Sequence, residues 1–224
     1  MERTSPMEKN GGAERGRPLV AGLLLAAGGG RRLGGRPKAL LEHRGRPLVE
    51  HGVAVLRAGG CRVVHVVLGA AADAVRERAD LAGCVLVDNP DWEEGMGSSL
   101  RVGLASLAGA AGAPAEADMT ARADVDAVVV ALVDQPGIGA EAVARVAAAY
   151  RGRDALAAAS YDGKRGHPVL LGADRWAAVA ASAEGDRGAR AYLAAHEAEI
   201  VLVPCSDVAA PYDIDTEADL AHLE

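Results

Sequence analysis

A buried-strand pattern that ends in a glycine-rich, basic loop is the feature that most constrains the fold of this chain. The apolar run covers residues 19–27, and Gly22 is its only neutral gap. Such a run is typical of a strand that is buried on both faces of a parallel sheet. The loop that follows contains five glycines and four cations: Gly28, Gly29, Gly30, Gly34, Gly35, Arg31, Arg32, Arg36 and Lys38. These residues can bring backbone N–H groups and positive charge close to a phosphate.

The loop does not have the spacing of the commonest phosphate-binding motifs. Leu33 stands where the dinucleotide-binding fingerprint requires its third glycine, and Lys38 is followed by Ala39 instead of the Ser or Thr of a P-loop. A flexible loop made basic for solubility is the simpler alternative, because glycine-rich turns are common at protein surfaces. The flanking segments, LAAG before the loop and PKAL after it, favour the phosphate-binding interpretation.

Strand and helix patterns alternate along most of the chain, which is typical of crossover βαβ units. The patterns predict strands at 19–27, 62–68, 84–87, 125–133, 154–161, 167–171 and 200–203. They predict helices at 47–58, 70–79, 98–107, 139–150, 174–181, 187–195 and 216–223. The most hydrophobic strand, 125–133, is expected at the centre of the sheet, and residues 162–166 are expected to turn a hairpin. The predicted fold is therefore α/β, with a mostly parallel central sheet and a small hairpin excursion.

Composition limits the kinds of partner that this protein is expected to bind and the compartment in which it is expected to work. The 224 residues suffice for one substantial core, and we expect a single domain at 18–224 preceded by a disordered tail at 1–17. The net charge of −7 argues against non-specific binding to nucleic acid or to an anionic membrane. No apolar run approaches the roughly 18 to 20 residues of a membrane helix, and acidic residues in the tail do not fit a signal peptide. Three widely spaced cysteines without a CxxC pair indicate reduced thiols and a cytoplasmic protein.

Asp134 follows the predicted central strand and precedes Pro136 and Gly137. A carboxylate at the carboxyl end of a central parallel strand lies where open α/β sheets bind ligands. Because it would face a basic phosphate-binding loop, we interpret Asp134 as a Mg²⁺ ligand; the alternative is an Asp that only stabilises its own turn. A second carboxylate is available from Asp213 or Asp215 in an extended segment. Asp215 or Thr216 is also expected to cap the last helix, which makes Asp213 the better candidate ligand.

A third segment, residues 89–100, joins a strand to a helix and is rich in small residues. Gly95 and Gly97, on either side of Met96, would let the loop lie flat against a nucleotide base or ribose. Ser98 and Ser99 stand at the start of the helix, where they could bind an anion or simply cap the helix. Trp92 is more typical of a residue that packs under such a loop than of a stacking platform.

Two further loops combine charge with glycine and could bind a second substrate. One includes Arg165 and His167, and the other includes Asp186 and Arg187. His167 has no visible catalytic partner in the sequence, so we expect a structural or substrate-contacting imidazole. The sequence shows no recognisable Ser/His/Asp or Cys/His constellation and no zinc-binding spacing.

From residue 19 to the C-terminus, the chain resembles the MobA-like nucleotidyltransferases. The segments that carry the resemblance occur in the same order: LAAGGGRRLGGRPKALLEHRGRPLVEH, GMGSSL, DQP, RGHPVL, GDRGAR and DIDT. Within that family, the motifs are most similar to those of the molybdopterin cytidylyltransferase branch. The resemblance implies a three-layer, Rossmann-like fold of the nucleotide-diphospho-sugar-transferase type.

The resemblance also implies roles for individual residues. The nucleotide would be bound by Ala26, Ala27, Gly28, Gly29, Gly30, Gly34, Gly95, Met96, Ser98 and Ser99. Arg32, Lys38 and Asp134 would be catalytic, and Asp134, Asp213 and Asp215 would bind the metal. The acceptor would contact Arg165, His167, Asp186 and Arg187. Two departures from the family pattern concern the acceptor. This chain has DQPGIG where related sequences commonly have DQPL followed by another apolar residue. It also has His167 where Asn is frequent in the cytidylyltransferase branch.

The expected reaction is Mg²⁺-dependent transfer of CMP from CTP to a phosphorylated pterin acceptor, with release of pyrophosphate. A molybdoenzyme apoprotein or its chaperone is the implied protein partner. Some relatives in this family are described as nicotine blue oxidoreductases, so an NAD(P)H-dependent reductase is an alternative. The missing third glycine weighs against it, and so do Leu48 and Val49, which stand about 20 residues beyond the loop where an acidic residue is expected. The neighbouring Glu50 keeps the alternative open. A module that binds a nucleotide and delivers a cofactor without catalysis is a third hypothesis.

Overall fold

The computed structural model of the protein describes residues 18–109 and 125–223, so the predicted tail at 1–17 lies outside the described residues. The strands are β1 (Val20–Leu25), β2 (Glu42–His43), β3 (Arg46–Pro47), β4 (Val64–Leu68), β5 (Val85–Asp88), β6 (Ala127–Leu132), β7 (Leu156–Tyr161), β8 (Lys164–Gly172) and β9 (Val201–Pro204). The α-helices are α1 (Leu48–Ala58), α2 (Ala72–Arg78), α3 (Met96–Leu107), α4 (Ala140–Ala148), α5 (Trp176–Ser182) and α6 (Arg190–Ala195).

Seven of these strands form one sheet, in the order β5-β4-β1-β6-β8-β7-β9. β1 pairs in parallel with both β4 and β6, so that Leu24 lies opposite Val66 on one side and Ala131 on the other. Only β8 among these strands runs against its neighbours, β6 and β7. The mostly parallel sheet is therefore confirmed, and β6 occupies its centre as its hydrophobicity predicts.

The predicted hairpin forms, but both of its strands belong to the main sheet. β7 and β8 are joined at Asp162 and Gly163, whose φ values are 50° and 77°. The turn is shorter than expected because Lys164 already pairs with Tyr161. A separate two-stranded hairpin, β2–β3, was not predicted, since two-residue strands leave no periodic signal in a sequence.

Helices cover both faces of the sheet and give three layers. On one face, α1 and α4 pack Leu56 and Val143 against a core that includes Leu24. On the other face, α3 and α5 pack Leu104 and Val179 against a core that includes Leu23. Alternate residues of β1 therefore enter opposite cores, which explains why this strand is apolar at nearly every position.

The order of the strands creates a crevice at the carboxyl ends of the central strands. The chain moves from β1 to β4 and β5 in one direction, then returns through α3 to β6 on the other side of β1. This reversal is a topological switch point, and ligands bind there outside the carboxyl ends of the strands. The glycine-rich loop follows β1 and Asp134 follows β6, so the fold brings both to this crevice.

The cap predicted for α3 is wrong, whereas Thr216, one of the two caps predicted for the last helix, directly precedes that helix. The helix α3 begins at Met96 rather than near Ser98, and Gly95 stands at its N-cap position. The Ser98 hydroxyl instead donates to the carbonyl oxygens of Asp91 and Gly95. The last predicted helix is a 3₁₀ helix, Glu217–Leu223, and Asp219 accepts hydrogen bonds from the backbone N–H groups of Asp215 and Thr216. The Asp215 carboxylate is therefore free for another contact.

Two findings concern membrane spans and the state of the thiols. None of the helices within residues 18–109 and 125–223 has both the length and the apolar character that a membrane span needs. Cys61, Cys84 and Cys205 are free thiols, and Cys61 and Cys205 are buried.

We expect Leu24→Ala to destabilise the fold strongly, because this side chain is fully buried at the centre of one core and packs against Gly52. The expected loss in the free energy of unfolding is about 2–5 kcal/mol, measured by urea denaturation. Leu202→Ala is the matched control, because Leu202 is 47% exposed on the edge strand β9 and its loss should cost less than about 0.5 kcal/mol. Similar losses for the two variants would contradict the position of the core.

Candidate active site

The glycine-rich loop is folded tightly upon itself after β1. Gly30 adopts a left-handed conformation with φ of 60°, and its carbonyl oxygen accepts hydrogen bonds from the N–H groups of Leu33 and Gly35. A Cβ atom at Gly30 would overlap the carbonyl oxygen of Arg36, so the turn requires glycine here. Leu33 is fully buried and anchors the loop to the core. The leucine that breaks the dinucleotide fingerprint therefore has a structural role.

The segment before α3 forms the next wall of the crevice. The indole of Trp92 packs against Gly29, where an added Cβ would lie 3.0 Å from the ring, which agrees with its predicted packing role. The buried amide of Asn89 donates to the hydroxyls of Ser98 and Ser99 and holds this segment in place. Trp92, Gly95, Met96 and Ser99 line the cavity at this wall.

A cluster of opposite charges lies at the carboxyl ends of β1 and β6. Lys38 Nζ is 2.7 Å from Asp134 Oδ2 and also donates to Asp215 Oδ1. Arg32 Nη1 lies 3.7 Å from the other oxygen of Asp215. Only 14% of the Lys38 side chain is exposed, against 78% of that of Arg32. Three segments that are distant in the sequence therefore meet at one ammonium group.

The environment of this cluster shifts the pKa values of two of its members. Burial raises the pKa of Asp134 above the ordinary value for a carboxyl group, and the nearby Asp213 and Asp215 carboxylates add to the rise, whereas Lys38 opposes it. Burial alone would lower the pKa of Lys38, but the charges and hydrogen bonds of Asp134 and Asp215 outweigh it and raise this pKa. Lys38 is thus firmly cationic, and it is the group that favours ionised Asp134.

Asp213 has a different environment from Asp215. Its Oδ1 accepts a hydrogen bond of 2.8 Å from the side-chain amide of Gln135. Between the two aspartates, Ile214 is fully buried and its N–H donates to the carbonyl oxygen of Asp134. The buried isoleucine fixes both carboxylates beside Asp134. Of the two, Asp215 shares a cation with Asp134, although the sequence favoured Asp213.

A further group of residues that line the cavity is rich in basic side chains. It contains the predicted Arg165, His167, Asp186 and Arg187, together with Lys164 and Arg190, which the sequence analysis did not select. Lys164 and Arg190 belong to the same charged loops, so their position beside Arg165 and Arg187 was the available signal. Burial lowers the pKa of His167 to about 4, and Arg165 and Arg190 contribute to the shift, so its imidazole is neutral at pH 7.

The walls enclose a cavity of about 1150 Å³. Pockets for small molecules commonly measure about 300–1,000 Å³, so this one has room for two substrates. Ala27, Gly28, Gly29, Gly30, Arg32, Lys38, Asp134, Asp213 and Asp215 line it, along with the segment before α3 and the basic group described above. The lining does not include three other predicted residues, Ala26, Gly34 and Ser98. Arg36 also points elsewhere and pairs with Glu217 at 3.0 Å.

The donor set fits a divalent cation that is shared with a phosphate. Within residues 18–109 and 125–223, no group of three or more His, Cys, Asp or Glu side chains is arranged to hold a metal by itself. Two hard oxygen donors, from Asp134 and Asp215, nevertheless converge on the position of the Lys38 ammonium. Mg²⁺ commonly takes only one or two carboxylates and completes its shell with water and substrate phosphates. The residues present are therefore compatible with such an ion.

Comparisons with known proteins bear on the family and the fold of this chain. A family model described as the MobA-like NTP transferase domain matches residues 22–200. Nicotine blue oxidoreductase of Paenarthrobacter nicotinovorans is 42% identical over 212 residues, which cover 92% of this chain and 97% of that protein. The crystal structure of the Rv0371c homologue from Mycobacterium sp. strain JC1 has a TM-score of 0.72 and 31% identity, and the match covers 91% of this chain and 96% of that one. Rv0371c of Mycobacterium tuberculosis in complex with manganese has a TM-score of 0.67 and 26% identity, with coverage of 92% and 97%.

A matched pair of glycine variants tests the geometry of the loop. Gly30 and Gly34 have nearly the same φ, 60° and 67°, but an added Cβ at Gly34 meets nothing within 4 Å. Gly34→Ala should cost about 1 kcal/mol through backbone strain alone. Gly30→Ala should cost about 1–3 kcal/mol more, because it also displaces the carbonyl of Arg36. Thermal unfolding of both variants measures the difference, and equal losses would show that the loop is not closed as described.

Proposed function

The chain belongs to the MobA-like NTP transferase family, and we propose that it is a metal-dependent nucleotidyltransferase that moves a nucleoside monophosphate onto a phosphorylated acceptor. The most specific form of the proposal is transfer of CMP from CTP to a molybdopterin-type acceptor, with release of pyrophosphate. A molybdoenzyme apoprotein or its chaperone would then receive the product.

One observation carries the proposal: a lysine and two carboxylates converge at the switch point of the sheet, beside a glycine-rich loop that lines the same cavity. Transfer of a phosphoryl or nucleotidyl group requires positioning and neutralisation of charge more than a protein nucleophile. This site supplies both requirements. The backbone is open at Gly28, which lines the cavity and can approach the triphosphate, and Arg32 and Lys38 can neutralise its charge.

The reaction follows from these positions. A phosphate oxygen of the acceptor attacks the α-phosphorus of the nucleotide in line, and the bond from the α-phosphorus to the pyrophosphate oxygen breaks. Arg32 and Lys38 stabilise the charge that develops on the departing pyrophosphate. Asp134 and Asp215, with Asp213 beside them, would hold a divalent cation, which neutralises phosphate charge when it is bound. The basic residues Lys164, Arg165, Arg187 and Arg190, which line the same cavity, would orient an anionic acceptor.

A second candidate function comes from the relative that is 42% identical, nicotine blue oxidoreductase. On this hypothesis the cavity holds NAD(P)H beside a quinone-like acceptor, and hydride passes directly between them. Glu50, the acidic residue that kept this reading open, lies on α1, and its carboxylate accepts a hydrogen bond of 2.9 Å from the N–H of Asp80. Because the Glu50 carboxylate is bonded to Asp80, it gives no support for the ribose contact that this hypothesis requires.

A direct comparison of the two activities separates the candidates. Purified protein with Mg²⁺ and each nucleoside triphosphate should release pyrophosphate only when a molybdopterin-type acceptor is added. CTP should be the best donor, measured by coupled pyrophosphate detection. In parallel, NADPH oxidation is followed with a quinone acceptor. NADPH oxidation that requires the quinone but not the molybdopterin-type acceptor, without any pyrophosphate release, would replace the transferase with the reductase.

Loss of either member of the central ion pair should reduce nucleotidyl transfer severely. We expect Lys38→Ala and Asp134→Ala each to lower kcat/KM at least about a hundredfold, as the loss of one preorganised charged group often does. Asp207→Ala is the control, since it breaks an ion pair of similar length, 2.7 Å to Arg145, on the outer surface. That variant should retain activity within about twofold. Near-normal turnover by both cavity variants would refute the assigned roles.

A further inference from the structure

The Lys38 ammonium lies where the two converging carboxylates would otherwise hold a metal ion. It is within hydrogen-bond distance of an oxygen from Asp134 and one from Asp215, and these residues come from segments 81 positions apart in numbering. A divalent cation bound to the same oxygens would need Mg–O distances of about 2.1 Å. An ammonium nitrogen and a metal ion cannot both fill that space.

From this geometry we propose that Lys38 is the resting occupant of the metal position, and that it leaves Asp134 and Asp215 when the metal binds. The inference rests on the metal-dependent transfer proposed above and adds a binding order to it. In the free protein Lys38 neutralises the two carboxylates. In the loaded protein its charge moves to the triphosphate.

The surroundings of Lys38 allow such an exchange. The residue begins the short 3₁₀ turn Lys38–Leu40, so its backbone is held while its four-carbon stem can rotate. Lys38 lines the same cavity as Gly28 and Gly30, so a triphosphate on the loop would offer the ammonium a new anionic partner. Arg32, largely exposed and 3.7 Å from Asp215, can make the same change of partner.

The exchange also has an electrostatic reason. Asp134 is held in surroundings that disfavour its charge, so in the absence of a metal it needs a cation. A metal ion that arrives alone must displace that cation without giving it another anion. A metal ion that arrives with a nucleotide brings the phosphates that accept Lys38. The free protein should therefore bind divalent metal weakly. Removal of the Lys38 ammonium should strengthen that binding, although Lys38 is expected to be catalytic.

The test measures binding of Mn²⁺ to the full chain without nucleotide. Electron paramagnetic resonance reports the concentration of free Mn²⁺. Lys38→Met should bind Mn²⁺ at least about tenfold more tightly than the wild type, because the competing charge is gone. Lys38→Arg, which keeps the charge, should stay weak. In the double variant K38M/D134N the tight binding should disappear, which would locate the ion at these carboxylates.

Arg31→Met is the matched control for a general loss of positive charge. Arg31 lines the same cavity and lies on the same loop, and within the described residues it makes no side-chain hydrogen bond or ion pair. Its substitution should leave Mn²⁺ affinity within about twofold, because its charge is exposed to solvent. An equal gain in Arg31→Met and Lys38→Met, or no gain in Lys38→Met, would overturn the exchange.

A second measurement uses the wild type and so does not depend on folding of a variant. The sequence contains only three lysines, Lys9, Lys38 and Lys164, so ¹³Cε-labelled lysine gives three resonances that can be assigned with Lys→Arg variants. Saturation with Mg²⁺ and CTP should move the Lys38 resonance away from its position in the free protein. A Lys38 resonance that is unchanged in the saturated complex would refute the exchange.

Failure of the exchange and failure of the proposed reaction have different signatures. The Mn²⁺ measurement contains no nucleotide or acceptor, so it reports on Lys38 alone. Tight Mn²⁺ binding in Lys38→Met together with an absence of pyrophosphate release by the wild type would refute nucleotidyl transfer and keep the exchange. Pyrophosphate release with equal Mn²⁺ affinities in the wild type and Lys38→Met would do the opposite.

Discussion

The contact of one ammonium group with two carboxylates organises the charged centre of the candidate active site. Lys38 reaches Asp134 after β6 and Asp215 near the C-terminus, and so joins three segments that are far apart in the sequence. Asp134 is poorly solvated, and an ionised carboxylate in such surroundings needs a partner. The glycine-rich loop, the end of the central strand and the terminal segment therefore share a single positive charge.

The sheet explains why these residues meet. The path of the chain reverses between β1 and β6, and the crevice that this reversal creates lies outside the carboxyl ends of two parallel neighbours. The loop after β1 contributes the cation Lys38, and the end of β6 is followed by the carboxylate of Asp134. The terminal segment is then drawn in by buried Ile214, whose N–H binds the carbonyl oxygen of Asp134. Function at this site is thus a consequence of strand order together with local sequence.

The cavity has two chemically different sides. One side combines glycine, Arg32, Lys38 and three aspartates, whereas the other is dominated by Lys164, Arg165, Arg187 and Arg190. Two anionic reactants brought to one crevice repel each other, and cations on both sides offset that repulsion. His167, neutral at pH 7 because of its burial, adds a polar group to the second side without adding charge. The arrangement suits a reaction between a nucleotide and a second, separately bound molecule.

The sequence by itself determined the α/β class, the central place of β6, the hairpin around Asp162 and the chemical character of the glycine loop. These features depend on local periodicity and composition, which survive without knowledge of the fold. Local pattern was insufficient for the cap of α3, because the helix begins at Met96 and the Ser98 hydroxyl donates to the carbonyl oxygens of Asp91 and Gly95. It was equally insufficient for choosing between Asp213 and Asp215. Only the tertiary structure decided that Gln135 holds Asp213 while Asp215 shares Lys38 with Asp134, because a side chain's partner depends on which strand ends lie side by side.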